Sequence, residues 1–291
     1  MDLRYGMNPH QRPATIVPVD AAQPPLRLVN GEPSYISVLD AVGAWQLVTE
    51  ASTALRRPAA TSFKHVSPAG AAVDGPIDAV MGETYGLDAT SVGKLTSAYV
   101  RARDADPKSS YGDFVAVSEP VYADLADLLR RLVCDGIIAP GYEAGVVAAL
   151  SAKKRGHFLL LEADPTFRPP AHEVREVYGL RLTQPRDDVP LTHDRLSNLV
   201  CGELSASAVD DLLLGLVVVR YTQSNSVAYL RGGMTLGIGA GQQTPGGCGA
   251  TRRFVRYPSG RARRCRIAST PRSRLSTTST SCSASLSVTN G

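Results

Sequence analysis

No Cys-x-x-Cys pair occurs in this 291-residue chain. Its cysteines, Cys134, Cys201, Cys248, Cys265 and Cys282, are odd in number and widely scattered, which argues against a disulfide framework and against a thiolate zinc site. His157, His172 and His193 stand at no ligand-like spacing, so they are expected to be structural or surface residues, and no catalytic metal is expected. No apolar run approaches the ~20 residues that a membrane span needs. The opening Met1-Asp2-Leu3-Arg4-Tyr5-Gly6 has no apolar signal core. A cytosolic protein with no membrane partner is therefore expected. One sign of charge is also missing locally. From Thr244 to Gly291 there is no Asp, Glu or Lys, while nine arginines crowd the same stretch.

That imbalance makes the formal net charge of +4 misleading. With nine of the 31 basic residues in the last stretch, the first 243 residues hold 22 basic against 27 acidic groups, a net of −5. An acidic body and a basic tail are two different objects. The tail has no aromatics beyond Phe254 and Tyr257 to interleave with its arginines, and Leu275 to Ser283 is nearly all Ser and Thr. That composition describes a disordered segment better than a nucleic-acid-binding arm. Over the whole chain, 43% hydrophobic and 20% charged residues are those of a globular protein with a sizeable core, and the length allows one large domain or two ordinary ones.

The chain is organised around Ser62-Phe63-Lys64-His65-Val66-Ser67-Pro68-Ala69-Gly70. Ala59 to Phe63 reads as a buried strand, and Ala71-Ala72-Val73 as the start of a small-residue helix. Neighbouring strand side chains point to opposite faces, so Lys64 and His65 can serve one site only at a strand end. There, Pro68 and Gly70 break the period, and both can turn into the crevice at the carboxyl ends of the strands, where open α/β sheets bind ligands. A bare Lys-His pair has a plainer explanation, a hydrogen-bonded core histidine beside a surface lysine. Arg4-Tyr5-Gly6-Met7-Asn8-Pro9-His10-Gln11 reads as a fixed loop presenting Arg4, Tyr5 and His10. It is either an arm packed on the domain or a site for an anionic, planar ligand, because a guanidinium forks onto phosphate and a ring stacks.

Strand and helix then alternate, the signature of an α/β sheet with helices on its faces. Pro24 to Tyr35 contains one short strand. Val38 to Glu50 is a helix whose apolar stripe is Val38, Ala41, Val42, Trp45 and Val48, with Asp40 and Gln46 off it. Gly70 to Gly86 reads as mostly loop and Ser97 to Arg103 as a short helix. Ser109 to Val117 is a polar turn feeding a strand. Val121 to Leu132 is an amphipathic helix, acidic early and basic late as the helix dipole favours. Cys134 to Tyr142 is strand into turn, Gly145 to Lys154 a helix, and His157 to Glu162 a buried strand. His172 to Leu180 and Arg186 to Pro190 read as edge strands or loops, and Ser205 to Leu214 as a helix. Leu216-Val217-Val218-Val219 then reads as a second apolar strand running into the polar cluster Arg220 to Ser226. Gly237, Gly239 and Gly241 do not fit G-x-G-x-x-G, since the third glycine would fall where Gln242 stands. Backbone passing close to another strand explains them better.

Six ordered blocks carry a family resemblance: RYGMNPHQ (4–11), SFKHVSPAGAAV (62–73), SSYGDFVAVS (109–118), VCDGIIAPGY (133–142), RYTQSNSV (220–227) and GIGAGQQ (237–243). Over residues 3–243 the chain resembles the transformylase domain of bifunctional purine-biosynthesis proteins. That domain is the formyltransferase acting on 5-aminoimidazole-4-carboxamide ribonucleotide (AICAR). The resemblance implies a cytidine-deaminase-like α/β/α sandwich built of two related halves, the second incomplete here. Residues 1–162 would form the first half and 163–243 the start of the second, with 244–291 a disordered tail. It also implies a homodimer, formyl transfer from the co-substrate 10-formyltetrahydrofolate to the 5-amino group of AICAR, and a folate partner. By motif, His65 matches the proton acceptor and Lys64 the residue that stabilises the transition state. Arg4, Tyr5, Gly112, Asp135 and Asn225 would hold the ribonucleotide, with His10 nearby.

Histidine suits the role, since attack of a weakly nucleophilic amine on a formyl carbon creates an N–H acid needing a base near neutrality. An ammonium can face the developing oxyanion. The zinc-deaminase pattern H-x-E with P-C-x-x-C is absent, so deamination is not expected. The family's cyclohydrolase domain is not matched, so purine-ring closure is not expected either. The family continues Gln-Gln-Ser-Arg where this chain has Thr244-Pro245 after Gln243, and the remainder resembles an out-of-frame or truncated end. The alternative to an active transformylase is a catalytically inactive member that binds nucleotide or pairs with an intact enzyme.

Overall fold

In the computed structural model, residues 1–197, 202–242 and the strand Leu286–Asn290 are described. Strands β1 (Asp2–Leu3) and β2 (Ala14–Thr15) pair antiparallel in the N-terminal arm. The chain continues through β3 (Leu26–Asn30), α1 (Tyr35–Leu55), β4 (Ala59–Lys64), β5 (Ser67–Val73), α2 (Ala79–Tyr85), α3 (Lys94–Asp104), β6 (Asp113–Val117), α4 (Ala123–Arg131), β7 (Cys134–Ala139), α5 (Val146–Ser151) and β8 (Leu159–Ala163). Six of these strands form one mixed sheet in the order β3-β8-β7-β6-β4-β5. Its centre, β6-β7-β8, is parallel, and β3, β4 and β5 each pair antiparallel with their neighbours. The expected α/β fold is the one observed.

The central strands are apolar at nearly every position because helices cover both faces. Alternate side chains divide between the two. Phe63, Phe114, Ala116, Ile138 and Leu161 pack with Ala41, Ala44, Leu47 and Val48 of α1. Val115, Val117, Ile137 and Leu160 pack with Tyr99 of α3 and with Leu125, Leu128 and Leu129 of α4. Helix α1 is longer than its stripe suggests. The Ser34 hydroxyl caps it by accepting the Ser37 N–H at 3.3 Å, and Arg56 ends it in the left-handed region. Trp45 packs at the core's edge and lines an open cavity of about 540 Å³.

Two expectations fail just after the central hairpin. Ala71 to Val73 is strand, not helix, because the chain reverses in a two-residue turn at His65-Val66 and returns as β5. The small residues serve a different purpose: a Cβ on Gly70 would stand 1.9 Å from the Ala102 carbonyl oxygen, so β5 lies directly against α3. The stretch 70–86 also holds α2, which Asp78 caps by accepting the Met81 N–H at 2.8 Å.

Beyond β8 the hairpin β9 (His172–Val177) and β10 (Leu180–Pro185) is exposed on both faces. Then α6 (Ala206–Arg220) leads into β11 (Ser226–Leu230) and β12 (Thr235–Gly239), which join β13 (Leu286–Asn290) in a second sheet of order β12-β11-β13. Leu216 to Val219, expected as strand, is the last part of α6. Val, Ile and Leu runs are ambiguous between buried strand and buried helix, and here burial decides. Helix α6 lies between α1 on one side and the second sheet on the other, so it is apolar nearly all round. The two sheets meet where Ala72 bridges Met234 and where Thr235 Oγ1 bonds both the Ala71 N–H, at 3.0 Å, and the Ala71 carbonyl, at 3.1 Å. Most of the expected tail, with Gln243, lies outside the described residues. Within that tail, Leu286–Asn290 is the antiparallel partner of β11.

Candidate functional site

Strand β4 ends at Lys64, and the turn that follows is unusual. His65 and Val66 both have positive φ, +53° and +62°, as a type I′ hairpin turn requires. Such turns favour Asn and Gly, and a left-handed conformation costs a bulky L-residue on the order of 1 kcal/mol or more. For β-branched Val66 it is a marked outlier. Both side chains project from the hairpin tip into solvent. What holds the turn is Asp40 of α1. Its Oδ1 accepts the Val66 N–H at 2.6 Å and its Oδ2 the His65 N–H at 3.3 Å. Asp40 is consequently buried, although it lies off the apolar stripe. Burial pushes its carboxyl above the usual carboxylate range, while the two backbone donors pull the other way.

Around that tip the loop before β6 and the start of β7 close in. The Lys64 ammonium donates to the Tyr111 carbonyl, and the Tyr111 ring is exposed beside it. Gly112 has φ +75°. A Cβ there would meet Lys64 Nζ at 3.5 Å and the Asp135 carboxylate oxygens at 3.6 and 3.8 Å. Lys64, Gly112 and Asp135 thus share one small space, with His65 the next residue along. Asp135 pairs with Lys154. Because β4 runs antiparallel to β6, the carboxyl end of β4 coincides with the amino ends of β6 and β7. The crevice therefore lies at the amino ends of the parallel strands, opposite to the expectation. The reason is topological: the Lys-His pair rides on an antiparallel hairpin rather than on a parallel strand.

The remaining predicted residues lie on two other segments. Arg4 and Tyr5 lie in the N-terminal loop, which is tied to the start of α1 by the bonds Arg4 N–H to Pro33 O at 2.9 Å and Tyr35 N–H to Tyr5 O at 3.0 Å. The Arg4 guanidinium stacks 4.8 Å above the Tyr5 ring and donates to its hydroxyl at 2.9 Å. Among the described residues it makes no ion pair with an acid. His10 is exposed in the same loop, its carbonyl accepting from the Arg12 N–H at 3.1 Å. Asn225 is exposed just before β11, and its carbonyl accepts the Gln242 N–H at 3.0 Å. From the Ala72–Met234 bridge, the antiparallel direction carries the 239–242 end of β12 toward the His65-Val66 end of β5.

Three participants escaped sequence reasoning: Asp40, Tyr111 and Lys154. Asp40 left one signal, an acid on a helix that buries much of its surface. Among the described residues, no three His, Cys, Asp or Glu side chains gather as a metal site would need, and no helix is long and apolar enough to cross a membrane.

An α/β sheet carrying a Lys-His hairpin tip, with a glycine and an aspartate against it, holds the motif blocks at 62–73, 109–118 and 133–142. The chain belongs to the AICARFT/IMPCHase bienzyme family, which residues 1–246 match. It is 31% identical over 247 residues to the bifunctional purine biosynthesis protein PurH of Dinoroseobacter shibae. The corresponding proteins of Roseobacter denitrificans and Caulobacter vibrioides are 32% identical over 249 residues and 30% over 243. These alignments take in 82–83% of this chain but only 42–43% of the relatives. The chain spans less than half the length of the curated relatives it matches.

Proposed function

We propose that this chain acts in purine biosynthesis by binding AICAR and transferring to its 5-amino group the formyl group of 10-formyltetrahydrofolate. The observation that carries the reading is the convergence of Lys64, Gly112 and Asp135 beside the His65 tip. Arg4, with no acid paired to it among the described residues, would fork onto a phosphate, and Tyr5 beside it would offer a stacking face. Asp135 and Asn225 offer polar groups to the ribose and the base, and Gly112 lets the ligand approach the backbone.

In the transfer, the amine nitrogen attacks the formyl carbon and a C–N bond forms. The His65 imidazole takes the proton released by that nitrogen. Lys64 has three N–H donors. One is held by Tyr111, and another can meet the tetrahedral oxyanion. Collapse of the intermediate breaks the bond to the folate nitrogen, which takes the proton held by the His65 imidazolium and leaves as tetrahydrofolate. The protein is proposed to work in the cytosol as a homodimer, with neither membrane nor nucleic acid as partner.

Isothermal titration with AICAR, followed by a formyl-transfer assay with both substrates at saturation, tests the reading. Binding with turnover supports it. No binding at millimolar AICAR overturns it, and binding without turnover selects the inactive nucleotide-binding alternative.

A further inference from the structure

We infer that Asp40 is a positioning residue for the site: its carboxylate holds the His65-Val66 turn in the left-handed conformation and thereby fixes where the His65 ring stands. The chain has no local reason to adopt that turn. Neither His nor Val favours positive φ, and a β-branched residue disfavours it most. A two-residue hairpin loop needs positive φ at both positions to match strand twist. The register fixes the loop at two residues, since Lys64 pairs with Ser67. The strain must therefore be offset from outside the hairpin, and the one carboxylate beneath it takes both turn N–H groups.

The arrangement is built rather than incidental. Asp40 is 8% exposed, sits within a 21-residue helix packed into the core, and aims both oxygens at successive backbone donors. Hydrogen bonds to an ionised acceptor are the stronger kind. The same helix begins beside the loop carrying Arg4 and Tyr5, through Tyr35. One rigid element thus sets both the loop proposed to take the phosphate and the tip carrying the proposed base. A displacement of about 1 Å at a reacting group is enough to cost on the order of a hundredfold in rate. The role given to the His65 ring rests on the formyl-transfer reading; the state of the turn does not.

The test uses the whole chain and three variants: Asp40→Ala, Asp40→Asn and Asp40→Ala/Val66→Gly. Asp40→Asn keeps the volume and one acceptor, and it serves if Asp40→Ala does not fold. Removing the acceptor is expected to speed hydrogen exchange of the Val66 amide at least about tenfold, the equivalent of one lost hydrogen bond. Exchange at Thr61 and Ser62 in the middle of β4 should stay within about twofold, as local opening predicts. The ring resonances of His65 should shift in the single variants. In the double variant they should return to their parental positions, because glycine takes positive φ without strain. Formyl transfer should fall at least about tenfold in kcat in Asp40→Ala and recover in the double variant. Unchanged Val66 exchange, or a His65 ring that glycine does not restore, would overturn the inference. If the parent protein neither binds AICAR nor transfers formyl, the proposed function fails, and the exchange and ring measurements still decide the role of Asp40.

Discussion

Arg103 and Asp113 face each other at 2.7 Å with side chains only 7% and 0% exposed, directly behind the loop that carries Tyr111 and Gly112. The Tyr99 hydroxyl donates to Asp113 at 3.0 Å, and Arg103 also donates to that hydroxyl at 3.0 Å and to the Val133 carbonyl at 3.2 Å. Ser62, two residues before Lys64, bonds Ser110 at 2.7 Å. Burial pushes the Asp113 carboxyl up, against the pull of Arg103. A buried pair contributes little net stability, but removing one partner strands the other. Arg103→Met alone, or Asp113→Leu alone, should therefore destabilise by about 3–5 kcal/mol. The double variant should cost less than either single change. Urea melts of the four proteins make the cycle, and additive losses would show that the pair is not coupled.

At His65 the proposed catalysis can be separated from folding. It is exposed at the hairpin tip, so it is not the hydrogen-bonded core histidine of the plainer reading, and His65→Ala removes no packed side chain. The unfolding free energy should move by no more than about 0.5 kcal/mol, as is typical of surface changes. AICAR affinity should stay within a few-fold, while turnover falls by about 10²–10⁴, the usual contribution of a general base. Turnover that merely tracks the amount of folded protein would remove His65 from the mechanism.

How much of this was legible follows from particular residues. The continuous apolar runs Phe114 to Val117 and Leu159-Leu160-Leu161 announce central strands, because burial on both faces leaves only one composition. Lys64-His65 stood out because a strand end is a rare place for that pair. The hairpin is hidden: nothing in His65-Val66 resembles the Asn-Gly or Gly-rich signal of a type I′ turn, so Ala71 to Val73 reads as the start of a helix and the crevice is expected at the other end of the sheet. Asp40 was hidden for the same reason, since its partner is backbone 25 residues away and backbone leaves no mark in a sequence. Leu216 to Val219 misled because a helix packed on several sides shows no stripe.

Arg101 joins the two sheets. It is 3% exposed and donates to the carbonyls of Val73, at the end of β5, and of Gly232, before β12. Asp211 of α6 accepts the N–H groups of Gly232 and Gly233 at 2.9 and 2.6 Å from the other side. Burial lowers the guanidinium pKa to about 10, so it is still charged at neutrality. Arg101→Met keeps most of the volume and leaves two carbonyls without their donor, at about 1–3 kcal/mol each. Amides of β11 and β12 should then exchange faster, while those of β6 and β7 hold. Equal acceleration across both sheets would mean that Arg101 supports the whole fold rather than the seam.

The last prediction concerns pH and again turns on Asp40. Its carboxyl in the folded protein lies above the 3.8 of the unfolded chain, with burial as the main cause. Between those two values the folded state binds more protons than the unfolded one, so stability falls as pH rises through the window. The burial penalty is fully present above the folded value and disappears as pH drops toward 3.8. Asp211, also raised by burial, acts with the same sign, so the parent alone cannot isolate Asp40. The difference between parent and Asp40→Asn can, because Asn carries no titration. Urea melts at several points between about pH 4 and 6 should show the parent's advantage over the variant shrinking as pH rises. An advantage that grows over this range would mean the carboxylate is held down by the Val66 and His65 amides more strongly than burial pushes it up. A flat difference would mean the two effects cancel.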